Sequence, residues 1–482
     1  MLGCLAVWPW LSDFFARILE YTRTERTGRY QGRRVPWNEM AIMFGLTRYQ
    51  WLVLFAAWLG WGFDVFDGLL FNFVSPICVP NLLHLNPAAP GTKQEVFAYT
   101  AILTSLLLLG WACGGVIFGR ITDRLGRTRT LLLTMLTYAL STAACAFAPN
   151  LPVLALFRFV ASLGIGGEWA PGAALVAESL PFEKRVLGGA LLYTSAPVFL
   201  FLATFVNYLF TSRFESIAAD PNLSWRAVFL TGLVPAIVAV LIRLRVREPE
   251  VFKKPEAAPR IAEIFTPQYK RRTLGGLCLA LVALVTWWSC SAFIPVISGF
   301  LVSKGDTAHL PVKALAQLKS HYITLGTTWF NLGGLIGTLV TVPIALHLGR
   351  RRMFFGYFGL GALAVLSTFG LDFSPEARLM MMFTIGLTVF GIFGSFTFYL
   401  PELFPVRLRG TGSGFCYNAG RVITALFPFI MAKIAQSGVD PLKIVVWVAL
   451  APAIGIVLLV LGVGHETRGF DADEEATALL RA

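Results

Sequence analysis

The chain has 482 residues, of which 56% are hydrophobic, 13% aromatic and 14% charged. Soluble domains carry about 25% charged residues, so the composition excludes a soluble enzyme, a disordered chain and a fibrous repeat and indicates a polytopic membrane protein. The formal net charge of +13 would suggest nucleic-acid binding in a soluble protein, whereas a membrane protein concentrates its positive residues in cytoplasmic loops.

Residues 1–47 precede the first predicted membrane helix. The segment 2–19 is apolar and aromatic, with Asp13 and Arg17 as its only charges, which is typical of an amphipathic helix at the membrane interface. A loose extension or a misassigned start codon explains the segment equally well, and it lacks the basic n-region of a cleaved signal peptide. We expect an N-terminal cytoplasmic extension.

Twelve membrane helices follow this extension. A membrane-spanning helix needs about 20 mostly apolar residues, and the charge-poor stretches of the chain provide twelve candidates. They are predicted at 48–78, 97–120, 128–148, 152–178, 186–210, 225–246, 273–301, 322–347, 352–371, 378–401, 412–434 and 442–463.

The basic residues are distributed unevenly across the predicted membrane. With the N-terminus in the cytoplasm, 29 of the 40 lysines and arginines fall on the cytoplasmic side and nine on the opposite side. This asymmetry places both termini in the cytoplasm and explains the positive charge without nucleic acid. Only Arg158 and Arg421 remain inside helices. We expect a multi-pass protein of the bacterial inner (plasma) membrane, surrounded by lipid and monomeric.

The sequence repeats itself once. The motif E-x-x-P-x-x-x-R occurs at 178–185 and returns at 402–409, and Tyr193 and Tyr417 are separated by the same 224 residues. Internal duplication is typical of alternating-access transporters. The predicted regions are the extension 1–47, an N-terminal six-helix bundle 48–246, a cytoplasmic loop 247–272, a C-terminal six-helix bundle 273–464 and a cytoplasmic tail 465–482.

The loop between helices 2 and 3 carries a specific motif. From Gly119 to Arg127 the chain reads GRITDRLGR, and this pattern resembles motif A of the major facilitator superfamily, G-x-x-x-D-R-x-G-R. The resemblance extends over about residues 48–470. It implies an all-α membrane protein with twelve transmembrane helices in two pseudo-symmetric six-helix bundles. The second copy of the motif is degraded, with Leu346 and His347 where Asp and Arg would stand.

Cytoplasmic motifs of sugar-porter-like members also recur. The segment RLRVREPE at 243–250 is similar to their P-E-S-P signature, and HETRG at 465–469 resembles their P-E-T-K-G ending, with His in place of Pro. In that branch, acidic and basic residues of the two halves form ion pairs that hold the outward-facing state. The resemblance therefore implies a cytoplasmic gate formed by Gly119, Asp123, Arg124, Arg127, Glu178, Arg185, Glu402 and Arg409.

Helix 1 carries two acidic residues, Asp64 and Asp67. A charge in the middle of a membrane helix costs at least about 2.5–3.5 kcal/mol, so such residues are functional by default. At i and i+3 the two carboxyls share a helix face, where mutual repulsion favours a retained proton. Simple pairing of one carboxyl with a basic side chain is the alternative. The stretch resembles the D-x-x-D signature of organic-anion:proton symporters, of sialate/monocarboxylate or aromatic-acid type, which implies proton coupling.

Helix 4 carries one basic and one acidic residue, Arg158 and Glu168. Ten residues separate them, about 15 Å along a helix, so they do not pair directly. Arg158 could reach Asp64 or Asp67 within the N-terminal half. Glu168 is a further proton-coupling candidate, and an internal ion pair is an equal alternative for it.

Helix 11 contains an arginine about nine residues from its start, Arg421, preceded by Tyr417 and Asn418. No acidic residue lies in the middle of predicted helices 7–12, so Arg421 lacks an acid in its own half. A substrate carboxylate held bidentately would supply the missing anion, whereas hydrogen bonds to backbone carbonyls are the alternative. We predict a substrate site formed by Arg421, Tyr417, Asn418 and Arg158.

The predicted function is secondary active transport, by alternating access, of a small organic anion together with a proton. A sugar or polyol:proton symporter is the alternative, favoured by the cytoplasmic motifs and disfavoured by the buried arginines. No catalytic cluster, cofactor motif or metal-ligand spacing is found, so neither an enzyme nor a metal or cofactor protein is expected. The short loops argue against a receptor, and helix 5 lacks the signature of drug antiporters.

Overall fold

A computed structural model describes residues 46–86, 91–125, 127–168, 179–180, 184–234, 237, 260–302 and 311–468 of the chain. The chain divides into two compact units, residues 1–53 and 54–482. Residues 46–53 are the described part of the first unit, and they contain the beginning of the first membrane helix.

Besides the short helix Glu215–Ala218, the described part of the N-terminal half contains six helices. They are α1 (Arg48–Leu82), α2 (Thr92–Leu125), α3 (Arg127–Cys145), α4 (Leu151–Gly166), α5 (Arg185–Tyr193 and Ser195–Tyr208, ending in a π-helical turn at Leu209–Arg213) and α6 (Pro221–Leu230). Local signals set several of these starts. Asn150 and Asp220 cap α4 and α6 by accepting the backbone N–H groups of Val153 and Asn222, which is the usual role of these residues at an N-cap.

After the 3-10 helix Ile261–Phe265, the described part of the C-terminal half contains the other six helices. They are α7 (Pro267–Cys290, a 3-10 turn at Ser291–Phe293, and Ile294–Leu301), α8 (Val312–Leu348), α9 (Arg350–Val365 and a π-helical turn at Leu366–Gly370), α10 (Pro375–Ile385, a π-helical turn at Gly386–Phe390, and Phe393–Glu402), α11 (Val406–Thr424 and Leu426–Gln436) and α12 (Pro441–Trp447 and Leu450–Val460).

Eleven of the twelve predicted spans coincide, in whole or in part, with apolar helices of the described residues. Within the described residues, nine helical stretches are long and apolar enough to cross a membrane, and α3 and α4 add the shorter apolar helices Leu132–Cys145 and Leu151–Gly166. The twelfth span corresponds to α6, which is described as far as Leu230. The predicted all-α membrane fold is confirmed.

Helix ends differ from the sequence prediction by several residues. α2 begins at Thr92 rather than at 97, α7 at Pro267 rather than at 273, and α8 at Val312 rather than at 322. A hydropathy pattern marks only the part of a helix inside the hydrocarbon core, whereas backbone hydrogen bonding continues into the polar region. Helix α7 therefore starts inside the predicted cytoplasmic loop 247–272.

Glycines bring α2 close to two other helices. A Cβ atom on Gly114 or Gly166 would overlap the backbone of the facing helix, so α2 and α4 approach more closely than larger residues allow. On the same helix, a Cβ at Gly115 would lie 3.4 Å from Nδ2 of Asn418 in α11. Helix α2 thus packs closely against both α4 of the N-terminal half and α11 of the C-terminal half.

The two halves also contact each other on the predicted outer and inner sides. On the predicted outer side, Asn72 Nδ2 donates to the Ala292 carbonyl at 2.7 Å and Ser212 Oγ donates to Ser320 Oγ at 2.5 Å. On the predicted inner side, Gly189 of α5 packs against Thr397 of α10.

Candidate functional site

The acidic side of the site begins at Asp64 in the middle of α1. Its carboxyl is 1% exposed, and no hydrogen-bond donor among the described residues lies against either oxygen. Instead it is in hydrogen-bonding contact with the Glu168 carboxyl and interacts electrostatically with Asp67 and Arg421. Asp64 therefore interacts with residues of both halves.

Glu168 lies in the turn that follows the described part of α4. The described helix stops at Gly166, and residues 167–168 form a turn whose N–H groups return to the carbonyls of Gly164 and Ile165. The predicted helix 152–178 continues into residues 169–178, which lie outside the described residues. The buried Glu168 thus stands at the end of the described helix.

The second acid of α1 belongs to a different environment. Arg158 of α4 donates from Nη1 to the backbone carbonyl of Asp67 at 2.8 Å and from Nη2 to that of Gly68. The Asp67 carboxyl interacts electrostatically with Arg158 and faces Gly232, two residues after the end of α6, where a Cβ would lie 3.0 Å from Oδ1. Arg158 thus holds the backbone of α1 inside the N-terminal bundle.

The basic side of the site is Arg421 of α11, which is 2% exposed. Its guanidinium carbon lies 4.2 Å from the ring centre of Trp111 and 4.5 Å from that of Tyr417. Nη1 donates to Asn418 Oδ1 at 3.1 Å, and Nε has no hydrogen-bond partner. Among the described residues, Arg421 forms no ion pair with a carboxylate. The acidic residue that interacts with it electrostatically is Asp64.

The duplicated tyrosines meet across the two halves. The hydroxyls of Tyr193 in α5 and Tyr417 in α11 are in hydrogen-bonding contact. Tyr193 also packs on Trp61 of α1, with ring centres 5.7 Å apart, and on Phe393 of α10 at 6.0 Å. The internal repeat therefore produces a symmetric pair beside Arg421.

Trp111 is the site residue that the sequence analysis missed. It lies on α2 between Gly110 and Gly114, and that stretch indicates close helix packing. A large aromatic residue within a small-residue face was the available signal. The Trp111 ring touches both Arg421 and Trp288 of α7, with a ring-centre distance of 5.9 Å to the latter.

A small central void of about 20 Å³, roughly the space of one water molecule, lies between the halves. It is bordered by α1 and α5 on one side and by α7 and α8 on the other. Its polar lining residues are Asn72, Ser291, Thr327 and Asn331, and its aromatic lining residues are Phe73, Trp287 and Phe330.

The cytoplasmic end of the C-terminal half carries a dense polar network. Arg350 grips the Glu402 carboxylate with Nη2 at 2.8 Å and Nε at 3.2 Å, and Thr467 donates to the same carboxylate. Glu466 accepts the backbone N–H groups of Arg350, Arg351 and Arg468. Partial burial raises the pKa of Glu466, but these three hydrogen bonds outweigh it and leave the pKa below its ordinary value.

Part of the predicted gate can be located. Glu402 pairs with Arg350 of its own half, and Arg409 Nε donates to the Pro401 carbonyl at 3.2 Å. The other predicted gate residues lie outside the described residues or have side chains outside them, so their roles stay predictions: Gly119, Asp123, Arg124, Arg127, Glu178 and Arg185.

Comparison with known proteins identifies the family. Residues 50–428 match the Major Facilitator Superfamily. The chain is 27% identical over 374 residues to a protein of Cupriavidus pinatubonensis named as a probable 4-methylmuconolactone transporter, covering 77% of this chain and 80% of that one. It is 26% identical over 366 residues to the cis,cis-muconate transport protein of Acinetobacter baylyi, covering 74% and 83%.

A solved structure shows the same fold. The crystal structure of a D-xylose-proton symporter superposes with a TM-score of 0.68 at 14% identity, covering 88% of this chain and all of that one. The family match, the names of these relatives and the apolar helices all indicate a membrane transporter. The chain therefore belongs to the Major Facilitator Superfamily, as a multi-pass membrane transporter and not an enzyme.

Proposed function

We propose that the protein carries a small organic carboxylate together with a proton, and that Arg421 binds the carboxylate. The observation that carries this proposal is the position of Arg421. It is a buried guanidinium of the C-terminal half that forms no described ion pair and faces the acids of the N-terminal half. A buried charge without a direct counter-ion is costly, and a substrate carboxylate would supply that counter-ion.

The surroundings of Arg421 suit a bidentate ligand. The rings of Trp111 and Tyr417 cover the guanidinium, Asn418 accepts a hydrogen bond from Nη1, and the Tyr417 hydroxyl is also in hydrogen-bonding contact with the guanidinium. The planar guanidinium matches a carboxylate with two parallel hydrogen bonds. The stacked rings fix the orientation of the planar guanidinium and exclude water, which strengthens these bonds.

The Asp64–Glu168 pair is the proposed proton site. Two carboxyls in hydrogen-bonding contact cannot both be ionised and share a proton instead. With one shared proton, the pair carries one negative charge beside the positive Arg421. An arriving substrate carboxylate leaves an excess negative charge in a low-dielectric environment, which one further proton on the pair cancels. This charge balance couples one proton to one monocarboxylate.

Asp67 and Arg158 have a supporting role in this proposal. Arg158 donates two hydrogen bonds to the backbone carbonyls of Asp67 and Gly68. The carbonyls belong to the helix turn that follows Asp64. We propose that Arg158 positions Asp64 by fixing this turn, and that it reaches substrate only if these bonds open.

The aromatic lining and the relatives favour a planar substrate. Trp111, Tyr417, Trp287 and Trp288 lie near or beside Arg421 and the central void. Such rings offer large apolar contact surfaces, which suit an aromatic or unsaturated acid better than a polyol. The relatives named for cis,cis-muconate and 4-methylmuconolactone agree with a small unsaturated acid.

The membrane placement is also a proposal. The excess of basic residues on one side supports two cytoplasmic termini in a bacterial inner membrane, with bundles at 48–246 and 273–464. A cytoplasmic gate at 178–185 and 402–409 and a monomeric carrier complete this arrangement.

Uptake into proteoliposomes tests the function. We expect at least one acid among lactate, pyruvate, sialate and hydroxybenzoate to accumulate, and an inward proton gradient to accelerate its uptake. Both Arg421→Ala and Arg421→Lys are expected to lower kcat/KM by about tenfold or more, because each loses the bidentate contact.

Arg378→Lys is the matched control. Arg378 is equally buried, but it lies near the start of α10 and donates to the Leu371 carbonyl at 2.9 Å. Its replacement should leave transport specificity unchanged. Uptake of glucose alone, or acid uptake that survives Arg421→Ala undiminished, contradicts the proposal and favours the sugar or polyol alternative.

A further inference from the structure

We propose, on the basis of the function above, that Lys93 and Lys319 form an anion-capture site at the outer mouth of the carrier. One lysine belongs to each half, and between them they would hold the carboxylate of a dissolved acid before it passes inward to Arg421. The anion-capture site would raise the local concentration of acids, relative to neutral solutes, on the predicted outer side.

Lys319 is placed at the outer mouth by the start of α8. It precedes Ser320, whose Oγ accepts the hydrogen bond from Ser212 Oγ that joins the two halves. Its Cε lies 3.4 Å from the position that a Cβ would take on Gly299, near the end of α7. The glycine leaves room for the aliphatic stem of Lys319 along α7, and the lysine is half-buried.

Lys93 comes from the N-terminal half. It is the second residue of α2 and is exposed. Phe97, one turn later on the same face of α2, stacks on Phe293 of α7 with ring centres 4.7 Å apart. The start of α2 therefore packs against the outer part of α7, the part that Lys319 also contacts. Across this boundary Lys93 and Lys319 interact electrostatically.

The described residues leave this pair of lysines with an excess of positive charge. None of the ion pairs among them joins Lys319 to an acid, and the charged group that interacts with it electrostatically is Lys93. Glu95 follows Lys93 by two residues, a spacing at which side chains do not face each other on a helix. Two like charges that approach each other repel, so an anion bound between them is favoured.

The chemistry of lysine suits capture better than final binding. Its ammonium group is a compact point charge with three donors on a flexible stem, so it can meet a carboxylate from many directions. Arg421, in contrast, lies against two aromatic rings and offers a planar, bidentate geometry. The anion-capture site would therefore attract acids in general, and Arg421 would select among them.

The anion-capture site is separate from the central void. On α8, Asn331 lines the void and follows Lys319 by twelve residues, about 18 Å along a helix. A small acid cannot span this distance, so it would occupy the two places one after the other. The contact between Ser212 and Ser320 lies beside Lys319, so capture can precede the opening of the outer side.

The salt dependence of uptake tests the anion-capture site. Initial rates are measured for each transported acid of the panel above, in proteoliposomes of phosphatidylcholine alone, because an anionic lipid would itself respond to salt. External potassium chloride is set at about 10 mM or about 300 mM, which shortens the Debye length from about 30 Å to below 10 Å. Sucrose keeps the osmolality equal.

We expect the kcat/KM of the native chain to fall about tenfold at the higher salt. The double variant Lys93→Gln with Lys319→Gln should have a kcat/KM about tenfold below native at the lower salt. Its kcat/KM should no longer depend on salt, and its kcat should be unchanged, because the lysines act before the acid reaches Arg421.

Two variants provide matched controls. Lys93→Arg with Lys319→Arg keeps both positive charges and should keep the native kcat/KM and its salt dependence. Lys443→Gln removes an exposed lysine at the start of α12, also on the predicted outer side, and should change neither quantity.

The outcomes separate the two proposals. Acid uptake whose kcat/KM and salt dependence survive the double substitution by glutamine overturns the anion-capture site and leaves the proposed function standing. An equal loss in Lys443→Gln would reveal a general effect of surface charge and would also overturn the site. A native chain that transports none of the acids overturns the proposed function, and the anion-capture site with it.

Discussion

Asp64 and Asp67 show how strongly rotation about a helix axis determines a role. Three residues along an α-helix displace a side chain by about 60° around the axis. This rotation turns Asp64 towards Glu168 and Arg421, between the halves, and Asp67 towards Arg158 and α6 within one half. The same residue type therefore has two different sets of neighbours.

Neutral variants of these two acids should behave differently. Asp64→Asn is expected to abolish acceleration of uptake by a proton gradient, because the Asp64–Glu168 pair loses its shared proton, while substrate exchange between loaded liposomes persists. Asp67→Asn is the matched comparison and should retain gradient-driven uptake. An equal loss of gradient dependence in both variants would disprove a separate role for Asp64.

At the scale of the element, residues 465–468 form part of the C-terminal bundle. The predicted tail begins at 465, yet His465 exchanges hydrogen bonds with the Tyr399 hydroxyl, at 3.0 and 3.1 Å. Glu466 accepts N–H groups at the start of α9, where a negative charge is stabilised by the helix dipole. The segment therefore joins α9, α10 and the end of α12.

Replacing Glu466 tests how much its contact with the start of α9 stabilises the protein. The pKa of Glu466 lies below its ordinary value of 4.5, so the stabilisation it provides is fully present above about pH 4.5 and is lost as the pH falls through the lower folded-state pKa. Glu466→Gln should destabilise the detergent-solubilised protein by about 1 kcal/mol at pH 7, as other helix caps do.

Thermal unfolding at several pH values measures this effect. The difference between Glu466→Gln and the native chain should shrink below about pH 4. Glu215→Gln, at an exposed residue, is the control and should not change the unfolding temperature at any of these pH values. A pH-independent difference would mean that the charge of Glu466 contributes nothing.

At the scale of the whole molecule, the site is divided between the two halves. The acids Asp64 and Glu168 come from the N-terminal half, and Arg421 comes from the C-terminal half. Tyr193 and Tyr417, which the internal repeat relates, meet where the halves touch. Movement of the halves against each other would therefore change the distances between these acids and Arg421, which together form the proposed site.

A reversible cross-link tests that movement. Ser212 and Ser320 join the halves on the predicted outer side with their Oγ atoms 2.5 Å apart. In a background with the seven native cysteines replaced by alanine, Ser212→Cys with Ser320→Cys should stop transport under oxidation and recover under reduction. The two single variants are the controls. Transport that continues through a confirmed cross-link would show that this contact need not open.

Much of the fold follows from local properties of the chain. Apolar runs, the unequal distribution of basic residues and the repeat at 224 residues depend on composition and spacing, so they predict twelve helices and two halves. The helix ends were less predictable, as at Thr92 and Val312, because hydropathy does not sense backbone hydrogen bonds beyond the apolar core.

The site was predictable as a set of residues and not as an arrangement. The sequence by itself determined which charges lie inside the membrane, Asp64, Asp67, Arg158, Glu168 and Arg421, because burying a charge is costly wherever it occurs in a membrane helix. Only the tertiary structure decided their partners: Arg158 for the α1 backbone, Glu168 for Asp64, and Trp111 for Arg421. Partners on different helices depend on the rotation and close approach of those helices, which long-range packing sets.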